Sequence, residues 1–498
     1  MESGYNIEED ALDFLKTEVS IGDPVELVKE VLSSLFELSM KPLFVDRLLL
    51  EKTLEKIKPK TETKKKNTSL TSGTKKSDQA YAKEIESNLE IVHDPTKEIK
   101  STGSFEDYLK YFRDRFTKIQ SFLRRRLDAR DALSVSKVLE MPSKSKVKVI
   151  GMITEKREYL QKIFIKIEDL NASINVLASP KVSSNILDKA RQLMKDQVIC
   201  VTGFKANIDM IVAKDLIWPD IPQRESKKAS IPVYAALTSD LHVGSKLFME
   251  KEFNRFTKWL EGKIGDRKQR EMASHVKYLI IAGDLVDGIG IYPGQINELS
   301  TTDIYEQYHT VSRLLEQIPD YIEIVIIPGN HDVSRKALPQ PTIPKKYAES
   351  LYSKSNVHFL GNPSTIKIHG VEVLLYHGRS LDDVAAAVPD VGFGNPDKAM
   401  KLLLRSRHLA PIYGERTPIS PHKQDFMVIE RSPDIFHTGH VHVQRCDTYR
   451  GVLMVNSGTW QRQTDYQKMM GLFPTPGIVP IVNLQTLQAQ SVSLITSI

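Results

Sequence analysis

The sequence is poor in cysteine, with only Cys200 and Cys446 among its 498 residues. Two cysteines in apolar, strand-like surroundings argue against both a disulfide framework and a zinc site built from thiolates. No apolar run reaches the ~20 residues that a membrane-spanning helix needs. The first residues, Met1 to Gly4, also lack the basic and apolar regions of a secretory signal. These absences lead us to expect a cytoplasmic protein.

The chain also has little net charge. Its formal net charge is +6 and its pI is near 8.9, which permits binding to a polyanion without requiring it. A hydrophobic content of 41% and a charged content of 27% are typical of a globular protein. Because 498 residues exceed one ordinary hydrophobic core, we expect about two to four domains.

The composition changes several times along the first 144 residues. Residues 1–57 have helical apolar spacing and predict a small all-α module, either a minimal bundle or a docking module on a tether. Residues 58–103 begin with a stretch of Lys, Thr and Ser that has almost nothing apolar, so we predict a flexible, disordered, lysine-rich linker. Residues 104–144 resume the helical pattern and predict connecting helices.

Residues 145–221 have the alternating pattern of β-strands. Five short apolar strands, with one helix between the third and the fourth, match an OB-fold barrel. We expect Ser183 or Ser184 to cap that helix. Such barrels often bind single strands, but this one has few aromatic residues for base stacking. Contact with another subunit is therefore at least as good an interpretation as contact with nucleic acid.

Residues 222–498 alternate strands with helices, including a predicted helix over 247–264, and predict one α/β domain. Five of its apolar strands run directly into polar residues. Open α/β sheets place their sites at the carboxyl ends of buried strands. The residues found there are Asp240, His242, Asp284, Asn330, His331, His377, His440 and His442.

These residue types predict a metal centre. Imidazole mixed with carboxylate or amide ligands suits Mn, Fe or Zn better than Ca or Mg. Asp240 and His242 are two residues apart, so an extended backbone would direct both side chains to the same side. Any one of these motifs alone is weak evidence, since a strand-end turn such as Gly283–Asp284 is common. The prediction depends on all five segments occurring together.

A centre of this composition is suited to phosphoester hydrolysis. A carboxylate such as Asp284 can bridge two cations, and cations ~3.5–4 Å apart polarise a phosphate and activate a water for in-line displacement. The leaving alkoxide then needs an acid. His331, next to the ligand Asn330, is free for that task.

The ordered motifs also carry a family resemblance. They resemble the calcineurin-like metallophosphoesterase superfamily through Asp240-x-His242, Gly283-Asp284-x-x-Asp287, Gly329-Asn330-His331-Asp332, His377 and Gly439-His440-x-His442. Longer stretches are similar to the family of small subunits of archaeal family-D DNA polymerases, namely 288–295, 338–341, 376–381, 408–414 and 456–461. The resemblance covers about residues 145–498, whereas residues 1–140 match only in general plan.

This resemblance implies a fold and an activity. The fold is a four-layer α/β/β/α metallophosphoesterase sandwich preceded by the β-barrel OB-fold. The activity is that of a 3′→5′ exonuclease, which removes single-stranded or mismatched 3′ ends of DNA as proofreading for a separate, larger polymerising subunit. The resemblance also implies association with the nucleoid, and it leaves a sliding clamp open as a further partner.

The resemblance assigns roles by position. One metal would be held by Asp240, His242 and His442, the other by Asn330, His377 and His440, and Asp284 would bridge them. His331 would be the catalytic histidine that protonates the leaving 3′-oxygen, and Asp287 would orient it. Family resemblance favours two manganese ions, with Mg, Fe and Zn left open.

Two further interpretations remain at this point. The chain could be mainly a structural subunit that holds the large subunit and contributes little hydrolysis. It could instead be a phosphatase or a small-molecule phosphodiesterase, although the OB-fold and the longer similar stretches argue against that. The intact set of ligands favours the nuclease, and the nuclease and structural roles can coexist.

Overall fold

The computed structural model describes residues 6–7, 44–45, 80–183 and 185–495, and contacts divide the chain into units 1–77 and 78–498. In the first unit, β1 (Asn6–Ile7) pairs in parallel with β2 (Phe44–Val45). These four residues are in strands and not in the helices that the spacing of residues 1–57 predicted, consistent with the strand preference of Ile, Val and Phe. The rest of that predicted helical module lies outside the described residues.

The second unit contains the elements that surround the candidate site. Its helices are α1 (Phe105–Arg124), α2 (Val135–Glu140), α3 (Ile186–Arg191), α4 (Glu250–Leu260), α5 (Arg267–Ser274), α6 (Ile304–Leu315), α7 (Glu349–Tyr352), α8 (Leu381–Ala387), α9 (Pro396–Ser406) and α10 (Asp465–Met469). Its first strands are β3 (Leu89–His93), β4 (Lys146–Tyr159), β5 (Lys162–Glu168), β6 (Ser173–Ala178), β7 (Val198–Asn207) and β8 (Met210–Ile217). The later strands are β9 (Tyr234–Thr238), β10 (Val276–Ala282), β11 (Glu323–Ile327), β12 (Val357–Phe359), β13 (Ser364–Ile368), β14 (Val371–Leu375), β15 (Ile435–Thr438), β16 (Arg445–Tyr449), β17 (Val452–Asn456), β18 (Ile478–Asn483) and β19 (Gln488–Ser493). None of the described helices is both long enough and apolar enough to cross a bilayer.

The second half of the predicted linker is ordered, so the prediction of disorder over 58–103 is wrong for residues 80–103. Strand β3 pairs antiparallel with β13 at the edge of a sheet. The Asp94 carboxylate accepts a hydrogen bond from the backbone N–H of Gly361 at 2.9 Å. Composition missed this segment because an edge strand is held largely by backbone hydrogen bonds, which leave little trace in the sequence. Residues 58–79 lie outside the described part of the chain.

The predicted OB-fold is confirmed. Strands β4, β5, β6, β8 and β7 close into a barrel in that order, and α3 lies between its third and fourth strands in the sequence. Side chains such as Val149, Ile165 and Val201 fill the interior. The helix begins after Asn185, one position beyond the predicted cap, and the Asn185 side chain makes no capping hydrogen bond.

The four-layer α/β/β/α arrangement is confirmed as well. One six-stranded sheet has the order β12-β11-β10-β9-β18-β19, and the other has the order β16-β17-β15-β14-β13-β3. Strand β10 illustrates the layering, since Tyr278 and Ile280 face the second sheet while Leu279 and Ile281 pack against helices. On the far side, α8 and α9 cover the second sheet.

One helix is shorter than its spacing predicted. The helix expected over 247–264 spans only Glu250–Leu260. Its start is delayed because Phe248 forms an antiparallel bridge with Gln461, which holds that residue in extended backbone. It ends before Gly262, whose φ of 71° is left-handed and interrupts the helical path.

Strand direction brings the polar residues together. Strands β9, β10 and β11 are parallel neighbours in one sheet, and β14 and β15 are parallel neighbours in the other. Within each sheet, parallel strands have their carboxyl ends at the same edge. The loops after these five strands contain all of the residues that the sequence indicated as ligands, and side chains from the loops of both sheets come together.

Candidate metal centre

Five of the candidate ligands have left-handed backbone conformations. They are Asp240, His242, Asp284, His440 and His442, with φ between 52° and 72°. A left-handed conformation costs a non-glycine residue energy, and such residues are concentrated at functional sites. The sequence argument placed both side chains of each Asp-x-His or His-x-His pair on one side of an extended strand. The side chains do converge, but left-handed turns bring them together.

The glycines of the motifs leave room for the carboxylates. A Cβ added to Gly329 would lie 2.1 Å from Asp284 Oδ1, and one added to Gly439 would lie 2.5 Å from Asp240 Oδ2. Both distances are far below van der Waals contact. Any larger residue at these positions would displace a candidate ligand.

The first group of converging atoms consists of Asp240, His242 and His442, whose ligand atoms lie within 4.8 Å of one another. The two imidazole Nε2 atoms are 3.0 Å apart, and Asp240 Oδ1 is 3.4 Å from His442 Nε2. This Oδ1 is buried and has no hydrogen-bond partner. A buried oxygen without a donor is costly, and a cation between it and the two nitrogens would satisfy it.

The second group consists of Asp284, His377 and His440. The Nδ1–H of His377 donates to the carbonyl of Ala282 at 2.8 Å, so its Nε2 is the nitrogen that faces the site. That nitrogen lies 3.0 Å from Asn330 Oδ1 and 3.3 Å from Asp284 Oδ2. A divalent cation could take the place of the proton that these oxygens share with the imidazole.

Asp284 faces both groups. Its Oδ2 lies 3.3 Å from His377 Nε2 and 3.9 Å from His242 Nε2. Its Oδ1 accepts a hydrogen bond from the backbone N–H of His331 at 2.8 Å, which fixes the orientation of the carboxylate. Both groups can therefore hold a divalent metal ion, with one carboxylate between them.

Buried charges dominate the electrostatics of this site. Burial alone would raise the pKa of Asp284, but the neighbouring His377 and His331 imidazoles hold it well below its usual range. The carboxylate therefore remains ionised at neutral pH. Burial also opposes protonation of His242 and His377, yet the nearby carboxylates raise the pKa of each to about 9. The carboxylates attract positive charge into a largely buried space, which favours a bound cation.

His331 and Asp287 lie together but not as predicted. The Asp287 carboxylate accepts from His242 Nδ1 at 2.9 Å, so it orients a candidate ligand. His331 Nδ1 donates instead to the main-chain carbonyl of Asp287 at 2.7 Å. The expectation that the Asp287 side chain orients His331 is therefore wrong. Residue spacing could not reveal this, because the side chain and the carbonyl of Asp287 point to different histidines.

Sequence reasoning also missed the residues that support the ligands. Asp382 Oδ2 lies 3.2 Å from His440 Nε2, and Gln467 Nε2 lies 3.0 Å from His442 Nδ1. Gln295 and Gln461 both donate to the Asp287 carboxylate. The glutamines carry no charge and do not directly follow a strand. The stretches of family similarity contain Gln295 and Gln461, and this was the only sequence signal for them. No sequence signal indicated Gln467 or Asp382.

Asp332, the last residue of the Gly-Asn-His-Asp motif, holds its loop in place. Its carboxylate accepts from the backbone N–H of Gly329 at 2.8 Å and from the Tyr308 hydroxyl at 2.8 Å. Burial and the nearby Asp284 charge raise the pKa of Asp332 to about 6. Its contacts are structural, and it lies beside the ligands without facing the pocket.

A pocket of about 430 Å³ opens in front of the candidate ligands. Its lining includes His242, Asp284, Asn330, His331, His440 and His442. The imidazole of His331 therefore borders the space in which a substrate would meet the ligands. Asp287 lines the pocket as well, whereas Asp240 and His377 lie behind it and are almost completely buried.

Comparison with known proteins gives a consistent family. Residues 235–446 match the family model that describes the B subunits of DNA polymerases alpha and epsilon. The chain is 41% identical over 408 residues to a protein named DNA polymerase II small subunit from Methanocaldococcus jannaschii, covering 81% of this chain and 68% of that protein. It is 42% identical over 393 residues to the protein of that name from Archaeoglobus fulgidus, covering 79% and 78%. The protein of that name from Methanothermobacter thermautotrophicus is 40% identical over 397 residues, covering 80% and 81%.

Proposed function

Because the chain belongs to the DNA polymerase II small-subunit family, we propose that it is a 3′→5′ proofreading exonuclease that assembles with a large polymerising subunit. In this proposal the candidate metal centre hydrolyses the last phosphodiester bond of single-stranded or mismatched DNA. The observation that carries the proposal is the convergence of two groups of metal-binding atoms on the shared carboxylate of Asp284. A single divalent cation would need only one such group. Phosphoester hydrolysis by two cations requires both.

The seven ligand positions divide between two cations. Asp240, His242 and His442 would hold one, Asn330, His377 and His440 the other, and Asp284 both. Imidazole mixed with oxygen ligands suits manganese, with iron and zinc as close competitors and magnesium less favoured. When bound, the cations would polarise the scissile phosphate and activate the attacking water.

The protein side chains then have separate tasks. Asp287 fixes the His242 ring through Nδ1 and so directs its Nε2 toward Asp240 and His442. The Ala282 carbonyl does the same for His377. These hydrogen bonds select the tautomer that leaves Nε2 free for a ligand bond.

His331 is the candidate proton donor. Its Nδ1 proton is held by the Asp287 carbonyl, so its Nε2 is the nitrogen available to exchange a proton in the pocket. Burial lowers the pKa of His331 to about 4, so the imidazolium is a strong acid once formed. Hydrolysis joins the water oxygen to phosphorus and breaks the bond to the 3′-oxygen. The attacking water loses a proton in this step. The neutral His331 takes up a proton at Nε2 and passes it to the 3′-oxygen as that bond breaks, so the imidazole ends as it began.

DNA and the large subunit are the proposed partners, and a sliding clamp is a further one. A salt-dependent affinity for DNA is expected because binding to phosphates releases counterions. The scaffold role is supported by the family of small subunits alone. Within the chain, the buried Arg115 of α1 donates to the backbone of Asp196 in the barrel domain and of Pro411 in the sheet domain, and so links the two. Both roles are compatible in one chain.

A single assay separates the three interpretations. The purified chain, with and without the large subunit, is given manganese and a 5′-labelled primer whose 3′ end is mismatched to its template. Parallel reactions contain a fully paired primer, p-nitrophenyl phosphate and bis(p-nitrophenyl) phosphate. The proposal expects stepwise shortening of the mismatched primer ahead of the paired one, and no shortening with chelator. Hydrolysis of the nitrophenyl esters without shortening of either primer would favour a phosphatase or a small-molecule phosphodiesterase. No hydrolysis at all, together with a need for the chain in polymerisation, would leave only the scaffold.

A further inference from the structure

The pocket in front of the candidate metal centre has an apolar wall that the hydrolysis itself does not need. Tyr292, Tyr466 and Met470 line it together with the candidate ligands. These side chains remain partly exposed, at 39%, 60% and 49% of their surface. A phosphate and a water gain nothing from aromatic rings, so the wall faces another part of the substrate.

Both segments of this wall are tied to the candidate metal centre through glutamines. On one side Gln295, three residues after Tyr292, donates to the Asp287 carboxylate that orients His242. On the other side Gln467, adjacent to Tyr466 in α10, contacts His442 Nδ1. The hydroxyl of Tyr292 donates to Glu298 at 3.0 Å, which fixes that ring further. These hydrogen bonds fix the segments that contain Tyr292 and Tyr466 relative to the candidate ligands.

We propose that Tyr292 and Tyr466 form a subsite for the nucleobase of the 3′-terminal nucleotide. A nucleobase is flat and uncharged, and the sugar joins it to the phosphate that is hydrolysed. Aromatic side chains bind such flat faces by stacking. The subsite takes an unpaired base, because a base within a duplex has its faces covered by its neighbours. It thereby distinguishes frayed or mismatched ends from paired ones. This inference rests on the proposed exonuclease function.

The test compares two single-stranded oligodeoxynucleotides that differ only at the 3′-terminal residue. One ends in thymidine and the other in an abasic tetrahydrofuran nucleotide, so both present the same phosphodiester bond. The readout is the ratio of kcat/KM for the base-bearing oligonucleotide to kcat/KM for the abasic one, measured with manganese. In Tyr466→Ala this ratio should fall about tenfold, the effect of losing one stacking contact. The loss should appear mainly in KM.

Three further variants sharpen the test. Tyr466→Phe keeps the ring and should restore the ratio, whereas Tyr292→Ala should lower it again. Tyr159→Ala is the matched control, because Tyr159 is similarly exposed at 66% but lies in the barrel. An equal loss on both oligonucleotides in Tyr466→Ala would overturn the subsite, and so would no loss on either. Failure of the wild-type chain to cleave either oligonucleotide would instead remove the exonuclease proposal on which the subsite rests.

Discussion

Two buried polar clusters in this chain differ in how completely the protein satisfies them. The Arg115 cluster consists of Arg115, Tyr111, His408 and Asp425. The candidate metal centre consists of Asp240, His242, Asp284, Asn330, His377, His440 and His442. Both are largely buried, and both combine carboxylates with nitrogen bases. Burial and composition alone therefore do not tell them apart.

In the Arg115 cluster every group has a partner. Arg115 donates to Asp425 Oδ2 at 2.8 Å, to the Pro411 carbonyl at 2.7 Å and to the Tyr111 hydroxyl at 2.7 Å. His408 contacts the same carboxylate oxygen at 2.8 Å. None of these residues has a left-handed backbone conformation. This is the pattern of a structural cluster, in which charges are paired and the backbone is relaxed.

The candidate metal centre has the opposite pattern. Asp240 Oδ1 is buried without a partner, the Nε2 atoms of His242 and His442 face each other at 3.0 Å, and five of the seven ligand positions have left-handed backbone conformations. The protein tolerates this strain and these unsatisfied groups only where something else compensates for them. What distinguishes the candidate functional site from the Arg115 cluster is the combination of an unsatisfied buried carboxylate oxygen with several left-handed ligand residues, and not polar burial itself.

The largest effect is expected for Asp284→Ala, which removes the carboxylate between the two groups. The proposed exonuclease activity should fall at least about 1,000-fold, because bound cations contribute several kcal/mol to stabilisation of the transition state. Manganese should raise the melting temperature of the wild-type chain and leave that of the variant unchanged. Appreciable manganese-dependent hydrolysis by this variant would contradict a shared carboxylate.

His331→Ala should lower kcat by about 10²- to 10⁴-fold, because it removes a proton donor. Manganese content, measured by mass spectrometry after dialysis, should stay near that of the wild-type chain. His309→Ala is the matched control, since His309 is an exposed histidine of α6. Loss of metal in proportion to loss of activity would mean that His331 is itself a ligand.

Arg115→Ala tests the satisfied cluster. It leaves the Asp425 charge buried without its main partner, so the free energy of unfolding in urea should fall by about 3–5 kcal/mol. The increase in stability on adding manganese should remain. Arg113→Ala, at an exposed position of the same helix, should change stability by no more than about 0.5 kcal/mol. A decrease in the free energy of unfolding no larger than that of Arg113→Ala would contradict the structural role of the Arg115 cluster. Loss of the stabilisation by manganese would contradict its independence from the candidate metal centre.

Asp287→Asn should have the smallest of these effects, a decrease of about 10- to 100-fold in manganese affinity. The reason is that the Asp287 carboxylate holds His242 in the tautomer needed for binding. Calorimetric titration measures this affinity, with the exposed Asp320→Asn as control. Unchanged manganese affinity in Asp287→Asn would contradict the role of this carboxylate in orienting His242.

The sequence predicted what depends on periodicity and chain order. Apolar strands followed by Asp240, Asp284 or His377 could be recognised because a buried strand with a polar residue shortly after it is a local pattern. The alternation of residues such as Val149 and Ile165 identified the barrel for the same reason. Both predictions rely on information contained in a few neighbouring residues.

What the sequence did not predict depends on tertiary contacts. Strand β3 is ordered by pairing with β13, more than 250 residues later in the chain. Whether Asp287 orients His242 or His331 depends on a side-chain direction that spacing does not encode. Asp382 and Gln467 support ligands from helices, outside any strand-end motif. Contacts of this kind become visible only when distant segments are brought together.

The most direct test of a two-cation centre that shares the Asp284 carboxylate is a titration of the chelator-treated chain with manganese. Calorimetry measures the number of ions bound, and electron paramagnetic resonance measures the coupling between them. We predict two manganese ions per wild-type chain with magnetic coupling between them, and loss of both the coupling and the tight binding in Asp284→Ala. A wild-type chain that takes up no manganese would contradict such a centre. So would a chain with a single uncoupled ion that Asp284→Ala leaves in place.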